Sequence, residues 1–117
     1  MNVPVFIGKP YNKYKNIKTE VNGIKFASKK EAKRYSELRL MWLGNRISDL
    51  QTQVRFELIP AMVINGKKEC KISYIADFVY KDKGVQIVED VKGIKTDVFK
   101  IKYRLMKQVH DIDVVLI

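Results

Sequence analysis

Two neighbouring segments of this chain place carboxylates inside apolar strand sequence. Residues 74–80 and 85–93 are rich in β-branched and aromatic side chains, which predicts two strands. Asp82-Lys83-Gly84 between them predicts a hairpin turn. A carboxylate within an apolar strand is costly unless it is paired or binds a metal ion. The fold must therefore accommodate Asp77 and Asp90.

Strand alternation groups these charges. Asp90 and Lys92 share one face of their strand, and Glu89 lies on the other, where we expect it to point outward. If the two strands pair, Asp77 lies close to Asp90, and two close carboxylates raise one another's pKa. A divalent cation removes that conflict, and hard oxygen ligands with open positions suit Mg²⁺.

A second interpretation of the same residues needs no function. The strand face could be turned to solvent, with Lys92 as an ion-pair partner of the acids, and an exposed pair of this kind stabilises a fold by only ~0–1 kcal/mol. That interpretation leaves unexplained why Asp77 and Asp90 stand among Ile75, Val79 and Val88.

The first half of the chain predicts a hairpin and then a helix. Asn22-Gly23 suits a type I′ turn within residues 20–26. Ser28 and Glu31 match the capping-box pattern at the start of a helix that runs to about residue 43. Its apolar stripe consists of Ala32, Tyr35, Leu38 and Trp42, and we expect Trp42 in the core.

The second half predicts a meander, a helix and a last strand. Residues 49–64 read as extended chain bent at Pro60, and Asn65-Gly66 turns into a returning strand over residues 69–80. Thr96 caps a helix to about residue 109. Its apolar residues are Val98, Ile101 and Leu105 on one face, with Phe99, Tyr103 and Met106 beside them. The order αβββαβ predicts an α/β fold of mixed α+β type, with a central mixed sheet flanked by helices.

Composition narrows the setting. The 117 residues favour one domain, predicted over residues 20–117 after a basic arm at residues 1–19. One cysteine excludes an internal disulfide, one histidine argues against zinc, and no apolar run has the ~20 residues of a membrane helix. We therefore expect a cytoplasmic protein with no membrane association. The net charge of +10 indicates a polyanionic partner, nucleic acid first.

The acidic segments resemble a known superfamily. Asp77 followed by Asp90-Val91-Lys92 looks like the PD-(D/E)XK nuclease motif, whose fold is restriction-endonuclease-like with αβββαβ order. Residues 21–26, 28–32, 74–78 and 88–93 are similar to a phage-borne family of small basic proteins within it, of unknown function or Holliday-junction-resolvase-like. The resemblance covers roughly residue 18 to the end. Ala76 stands where many members have proline.

The resemblance implies roles for single residues. Asp77 and Asp90 would be metal ligands, the Val91 carbonyl a third ligand, and Lys92 the catalytic lysine. Glu31 matches the first-helix acid that completes the metal site in many members, although it is equally suited to a helix cap. Mg²⁺ would be the cofactor, with Mn²⁺ able to substitute.

These observations predict a metal-dependent DNA endonuclease that cuts branched or junction DNA in phage recombination or replication. Symmetrical cutting of two strands would need two sites, so a homodimer is expected. The predicted DNA-facing cations surround the second helix and are Lys95, Lys100, Lys102, Arg104 and Lys107. Two alternatives remain open: a non-catalytic nucleic-acid-binding module, and an accessory subunit of a phage replication complex.

Overall fold

The computed structural model describes residues 19–92 and 95–117. The chain divides into two compact units, Met1–Ser36 and Glu37–Ile117, and the first is described from Thr19 onwards. The predicted arm at residues 1–19 therefore lies outside the described residues, apart from Thr19. Gly93, the predicted end of the second acidic strand, also lies outside them.

A small hairpin opens the described chain. Strands β1 (Thr19–Val21) and β2 (Ile24–Phe26) pair in antiparallel fashion. Asn22 and Gly23 both have positive φ, 53° and 79°, as the type I′ turn requires. The predicted hairpin and its turn are confirmed.

Helix α1 spans Lys29–Leu43 and begins with the predicted cap. The Glu31 amide donates to Ser28 Oγ at 3.2 Å, and Glu31 Oε1 accepts a hydrogen bond from the Ala27 amide at 3.2 Å. The carboxylate thus reaches back one residue beyond the usual capping-box donor, and it satisfies a backbone N–H at the helix start.

The apolar stripe of α1 is buried only over its first three members. Ala32, Tyr35 and Leu38 are buried, whereas Trp42 is 45% exposed. Leu40 and Leu43 are exposed as well, and Met41 between them is half-buried, so the last turn of the helix is largely exposed. The prediction of Trp42 as a core residue is wrong, because apolar periodicity does not show at which turn burial stops.

The second unit is built on a four-stranded mixed sheet. Along the chain come β3 (Ser48–Ile59), β4 (Met62–Ile64), β5 (Lys67–Glu69), β6 (Ile72–Asp82), β7 (Val85–Asp90), α2 (Asp97–His110) and β8 (Val115–Leu116). The sheet order is β3-β6-β7-β8; β3, β6 and β7 are antiparallel, and β8 runs parallel to β7. The predicted mixed-sheet fold class and the αβββαβ order are confirmed, with β4 and β5 as an additional hairpin.

Both remaining turns follow their sequence signals. Asn65 and Gly66 join β4 to β5, and Lys83 and Gly84 join β6 to β7, each with positive φ. The predicted strand at residues 69–80 is divided, since β5 ends at Glu69 and β6 begins at Ile72.

Helix α2 packs on the sheet through part of its predicted apolar surface, since Phe99 and Met106 are in the core and Leu105 packs against it. Thr96 caps it by accepting from the Phe99 amide at 3.1 Å, as predicted. Phe99 and Met106 are the buried members, whereas Val98 is 61% exposed and Ile101 is exposed as well. The larger side chains, seven residues apart, occupy the core against the sheet and leave the β-branched stripe outside.

The core joins α2 to β6 and β7. Phe99 and Met106 belong to one buried cluster with Ala76, Val79 and Val88. The rings of Tyr74 and Phe99 have centroids 6.4 Å apart, within the range of favourable aromatic pairs. Within residues 19–92 and 95–117, no helix combines the length and apolar character that membrane crossing requires.

The observed face of α2 predicts unequal effects of two truncations on the same helix. Met106→Ala creates a core cavity and should lower the free energy of unfolding by roughly 2–5 kcal/mol. Val98→Ala should change it by less than ~0.5 kcal/mol, because the valine is exposed. Urea denaturation of both variants measures this difference. Equal losses would show that the stripe of Val98 and Ile101 is also buried in solution.

Candidate functional site

The candidate site lies where β6 and β7 stop pairing. Phe78 and Glu89 are the last residues in register, and the next positions along each strand are Asp77 and Asp90. Beyond this point Asp77 Oδ2 accepts a hydrogen bond of 2.8 Å from the Val91 amide. A side chain therefore replaces the strand backbone as the partner of this N–H group.

The two carboxyl groups are in contact. A hydrogen bond joins Asp77 to Asp90, which requires a proton on one of them. Asp90 is 2% exposed, and its Oδ2 also accepts a hydrogen bond from the Tyr74 hydroxyl. Burial, and after it the interaction with Asp77, raise the pKa of Asp90 to about 7, against the lowering effects of the Tyr74 hydrogen bond and of Lys92.

Lys92 lies beside this pair. Its Nζ is 3.5 Å from Asp90 Oδ2 and 4.5 Å from the centroid of the Phe99 ring. The ammonium lowers the pKa of Asp90, although burial outweighs it. Held by a carboxyl group and an aromatic face, Lys92 keeps part of its side chain exposed. Asp77, Asp90 and Lys92, which strand alternation predicts as one cluster, therefore lie close together in the structure.

Two further residues support the pair and were missed by sequence reasoning. Tyr74 donates to Asp90, and burial followed by the hydrogen bond to Asp90 raises the pKa of its hydroxyl well above the usual range. Gln53 Nε2 lies 3.4 Å from Asp77 Oδ1. Gln53 stands on β3, so only the register between β3 and β6 could have revealed it.

Glu89 is buried, so the expectation that it points outward is wrong. It is 1% exposed and accepts a hydrogen bond from the Tyr80 hydroxyl. Val88, Glu89 and Asp90 are all buried, so both faces of β7 are covered at its end. β7 is an inner strand between β6 and β8, and alternation on such a strand separates two buried faces rather than a core face and a solvent face.

Two other predicted ligands make hydrogen bonds within the protein. Glu31, in the first unit, accepts from the Ala27 amide, and Val91 donates its amide to Asp77. Their roles as ligands stay predictions. In the described ranges, no cluster of three or more His, Cys, Asp or Glu side chains could hold a metal ion. The side-chain carboxyls of the candidate centre are thus those of Asp77 and Asp90.

The predicted DNA-facing cations fall into two groups. Lys95, Lys100 and Arg104 are exposed, and Lys102 is half-buried. Lys107 instead pairs with Asp111 at 3.0 Å and Asp113 at 3.2 Å.

An open groove of about 590 Å³ adjoins the carboxyl pair, and Tyr74 and Lys92 line it. Lys102 is the predicted cation that also lines this groove. Arg55 and Lys71 line it too, and sequence reasoning did not select them.

The raised pKa of Asp90 predicts an inverted pH dependence of stability in metal-free protein. The folded state binds the Asp90 proton more tightly than the unfolded state does, so this contribution is full below about pH 4 and is lost as pH rises through about 7. The loss is at most ~4 kcal/mol at 1.36 kcal/mol per pKa unit. Asp90→Asn should abolish it, and thermal unfolding in EDTA from pH 5 to pH 8 measures it.

The wild-type unfolding temperature should therefore fall relative to that of the Asp90→Asn variant across this range. Asp97→Asn, at an exposed position of α2, is the matched control and should follow the wild type. A constant difference between wild type and Asp90→Asn from pH 5 to pH 8 would contradict the raised pKa.

Comparisons with known proteins place this chain in one family. No curated protein and no solved structure matches it. One family model, described as "Protein of unknown function (DUF1064)", matches residues 11–116 and so includes every residue of the carboxyl pair and its surroundings. The chain belongs to this family of proteins of unknown function, DUF1064.

Proposed function

We propose that this protein is a metal-dependent DNA endonuclease that hydrolyses phosphodiester bonds. One observation supports the proposal above all: Asp77 and Asp90 are in contact at the open end of two strands, with Lys92 3.5 Å from Asp90. Two acids and a lysine beside an open groove are the residue types that metal-assisted phosphate chemistry uses. Perturbed ionisation of a buried carboxyl group next to a groove further favours a functional site over a structural one.

The residues present fit a divalent cation. Two carboxyl groups in contact cannot both ionise cheaply, and a cation between them would remove the shared proton and neutralise both charges. Asp77 and Asp90 would hold it, and the hard oxygen ligands favour Mg²⁺, with Mn²⁺ able to substitute. When bound, the ion would lower the pKa of a water molecule and neutralise charge on phosphate oxygens. The Val91 carbonyl remains the proposed further ligand.

Side chains of the protein would bind the phosphate and orient the metal ligands. Lys92, between Asp90 and the Phe99 ring, would hold a non-bridging phosphate oxygen and stabilise the charge that develops there. Tyr74 would keep Asp90 oriented through its hydroxyl. In the reaction, a water oxygen bonds to phosphorus while the bond to the 3′ oxygen breaks. The 3′ oxygen takes up a proton, which leaves a 5′-phosphate and a 3′-hydroxyl.

The charge of the chain favours DNA as the polyanion. The net charge is +10 although the candidate site itself is acidic, so the cations lie elsewhere on the surface. Exposed Lys95, Lys100 and Arg104 on or before α2 would contact phosphates. We extend the proposal to cutting directed by DNA shape in a phage or prophage context, and to a homodimer, since symmetrical cleavage needs two sites.

A cleavage panel tests the enzyme. We expect purified protein to cut junction, flap or duplex DNA with Mg²⁺ or Mn²⁺, and to leave it intact in EDTA. Asp90→Asn should abolish cutting while DNA binding persists. Lys92→Met should slow cutting by roughly 10²–10³-fold, because it removes a group that stabilises transition-state charge.

Asp97→Asn, at an exposed position, is the matched control for Asp90→Asn. Lys68→Met, at an exposed position of β5, is the control for Lys92→Met. The endonuclease proposal would be refuted if the protein left junction, flap, duplex and single-stranded DNA intact with both Mg²⁺ and Mn²⁺. Binding without cutting would then support the non-catalytic nucleic-acid-binding module.

Metal binding can be tested without any substrate. Mg²⁺ should stabilise the wild type at pH 8 by roughly 2.7 kcal/mol when its concentration is one hundred times the dissociation constant. It should not stabilise Asp77→Asn or Asp90→Asn, which lose a ligand charge. Thermal unfolding with and without Mg²⁺ measures the effect, and Asp97→Asn should respond as the wild type does. Equal stabilisation of all four proteins would contradict a cation at the carboxyl pair.

A further inference from the structure

The groove beside the carboxyl pair combines two kinds of lining that rarely occur together. Four cations line it: Arg55, Lys71, Lys92 and Lys102. In the described part of the chain, none of the residues lining it is acidic. Four cations around one concavity, of which Lys92 is already paired with Asp90, make a site for a polyanion, and phosphates are the anions that arginine and lysine bind best together.

Exposed aliphatic side chains form the other part of the lining. Ile72 and Ile75 on β6 and Val98 on α2 all line the groove, and each is more than 40% exposed. These side chains are not needed to fill the core, because Phe99 and Met106 do so from the same helix.

A duplex does not fit this combination. It presents phosphates and sugars on its outside and keeps the faces of its bases stacked, so its backbone has little apolar surface to offer Ile75 or Val98. An unpaired strand presents phosphates and exposed base faces at the same time. Proteins that hold single strands combine a basic groove with aromatic side chains on which the bases stack, and in this groove the exposed aliphatic side chains offer the apolar surface. The volume, about 590 Å³, lies within the roughly 300–1,000 Å³ of small-ligand sites and suits a short stretch of one strand.

We infer that this groove holds an unpaired segment of a DNA strand, with phosphates on Arg55, Lys71 and Lys102 and a base against Ile75 and Val98. The inference rests on the proposed function, which makes DNA the ligand. It adds that the site selects DNA with an unpaired strand. Tyr74 and Lys92 line the groove and both contact Asp90. An unpaired strand in the groove therefore leads directly to the carboxyl pair, as a strand that leaves a branch or flap would.

The electrostatic part is tested by salt dependence. In EDTA, Arg55→Gln with Lys71→Gln should weaken binding of a 12-nucleotide single strand about tenfold at 0.15 M salt. It should also reduce the slope of log K against log salt by about 1.4, since each lost contact to a single strand contributes ~0.7. The control is Lys81→Gln with Lys83→Gln, at the other end of β6, which should keep the wild-type slope. An unchanged slope in the groove variant would overturn the phosphate contacts.

The apolar part is tested with an abasic strand of the same backbone length. The wild type should bind the intact strand several-fold more tightly than the abasic strand, and more tightly than a blunt duplex of equal length. Ile75→Ser with Val98→Ser should remove the preference for bases and leave the salt slope unchanged. Val85→Ser, at an exposed position that starts β7, is the control and should keep that preference.

Equal affinity of the wild type for intact and abasic strands, or tighter binding of the blunt duplex, would overturn the inference. These measurements need neither metal nor cutting, so they fail separately from the nuclease proposal. A protein that cuts DNA without preferring unpaired strands would refute the groove assignment alone. A protein with the groove behaviour but no cutting would refute the enzyme alone.

Discussion

The contact between Asp77 and Asp90 is the interaction on which the rest of the second unit depends. A buried carboxyl group, Asp90, beside a half-buried one, Asp77, at the end of paired strands is tolerated only if the hydrogen bonds of both are satisfied. Here the Val91 amide and the Tyr74 hydroxyl supply donors, and a proton shared between the acids supplies another. The Val91 amide could otherwise have continued the sheet, and Tyr74 could otherwise have been an apolar core residue. The end of β6 and β7 is therefore built around the acids.

Helix α2 connects this polar cluster to the apolar core. Phe99 packs in the core cluster, and the same ring lies under the Lys92 ammonium. The position of the lysine consequently depends on how α2 is rotated against the sheet. If Val98 were buried in place of Phe99, Lys92 would lose its aromatic contact and the groove would lose an aliphatic wall. The rotation of one helix thus serves core packing and the candidate site together.

Local signals predicted the fold well because each acts over a few residues. Three Asn-Gly or Lys-Gly turns, the Ser28 and Thr96 caps and the Asp77–Asp90 proximity all follow from short-range chemistry. The errors share a different cause. Periodicity places Glu89 on an outward face and Trp42 in the core, yet burial depends on what packs against each face. Tyr74 and Gln53 needed strand register, which no single segment contains.

The acidic pair repels an approaching polyanion while the basic surface of this chain attracts it, and a bound cation would remove this conflict. A polyanion drawn to a protein of net charge +10 is repelled by ionised Asp77 and Asp90 at close range. Without a metal ion, the protonation of Asp90 near pH 7 reduces that repulsion but leaves a carboxyl group that cannot act as a strong ligand. A cation would expel the proton, reverse the local charge and attract a phosphate to Lys92. Metal binding and approach of the strand would then favour each other, because each relieves the electrostatic cost of the other.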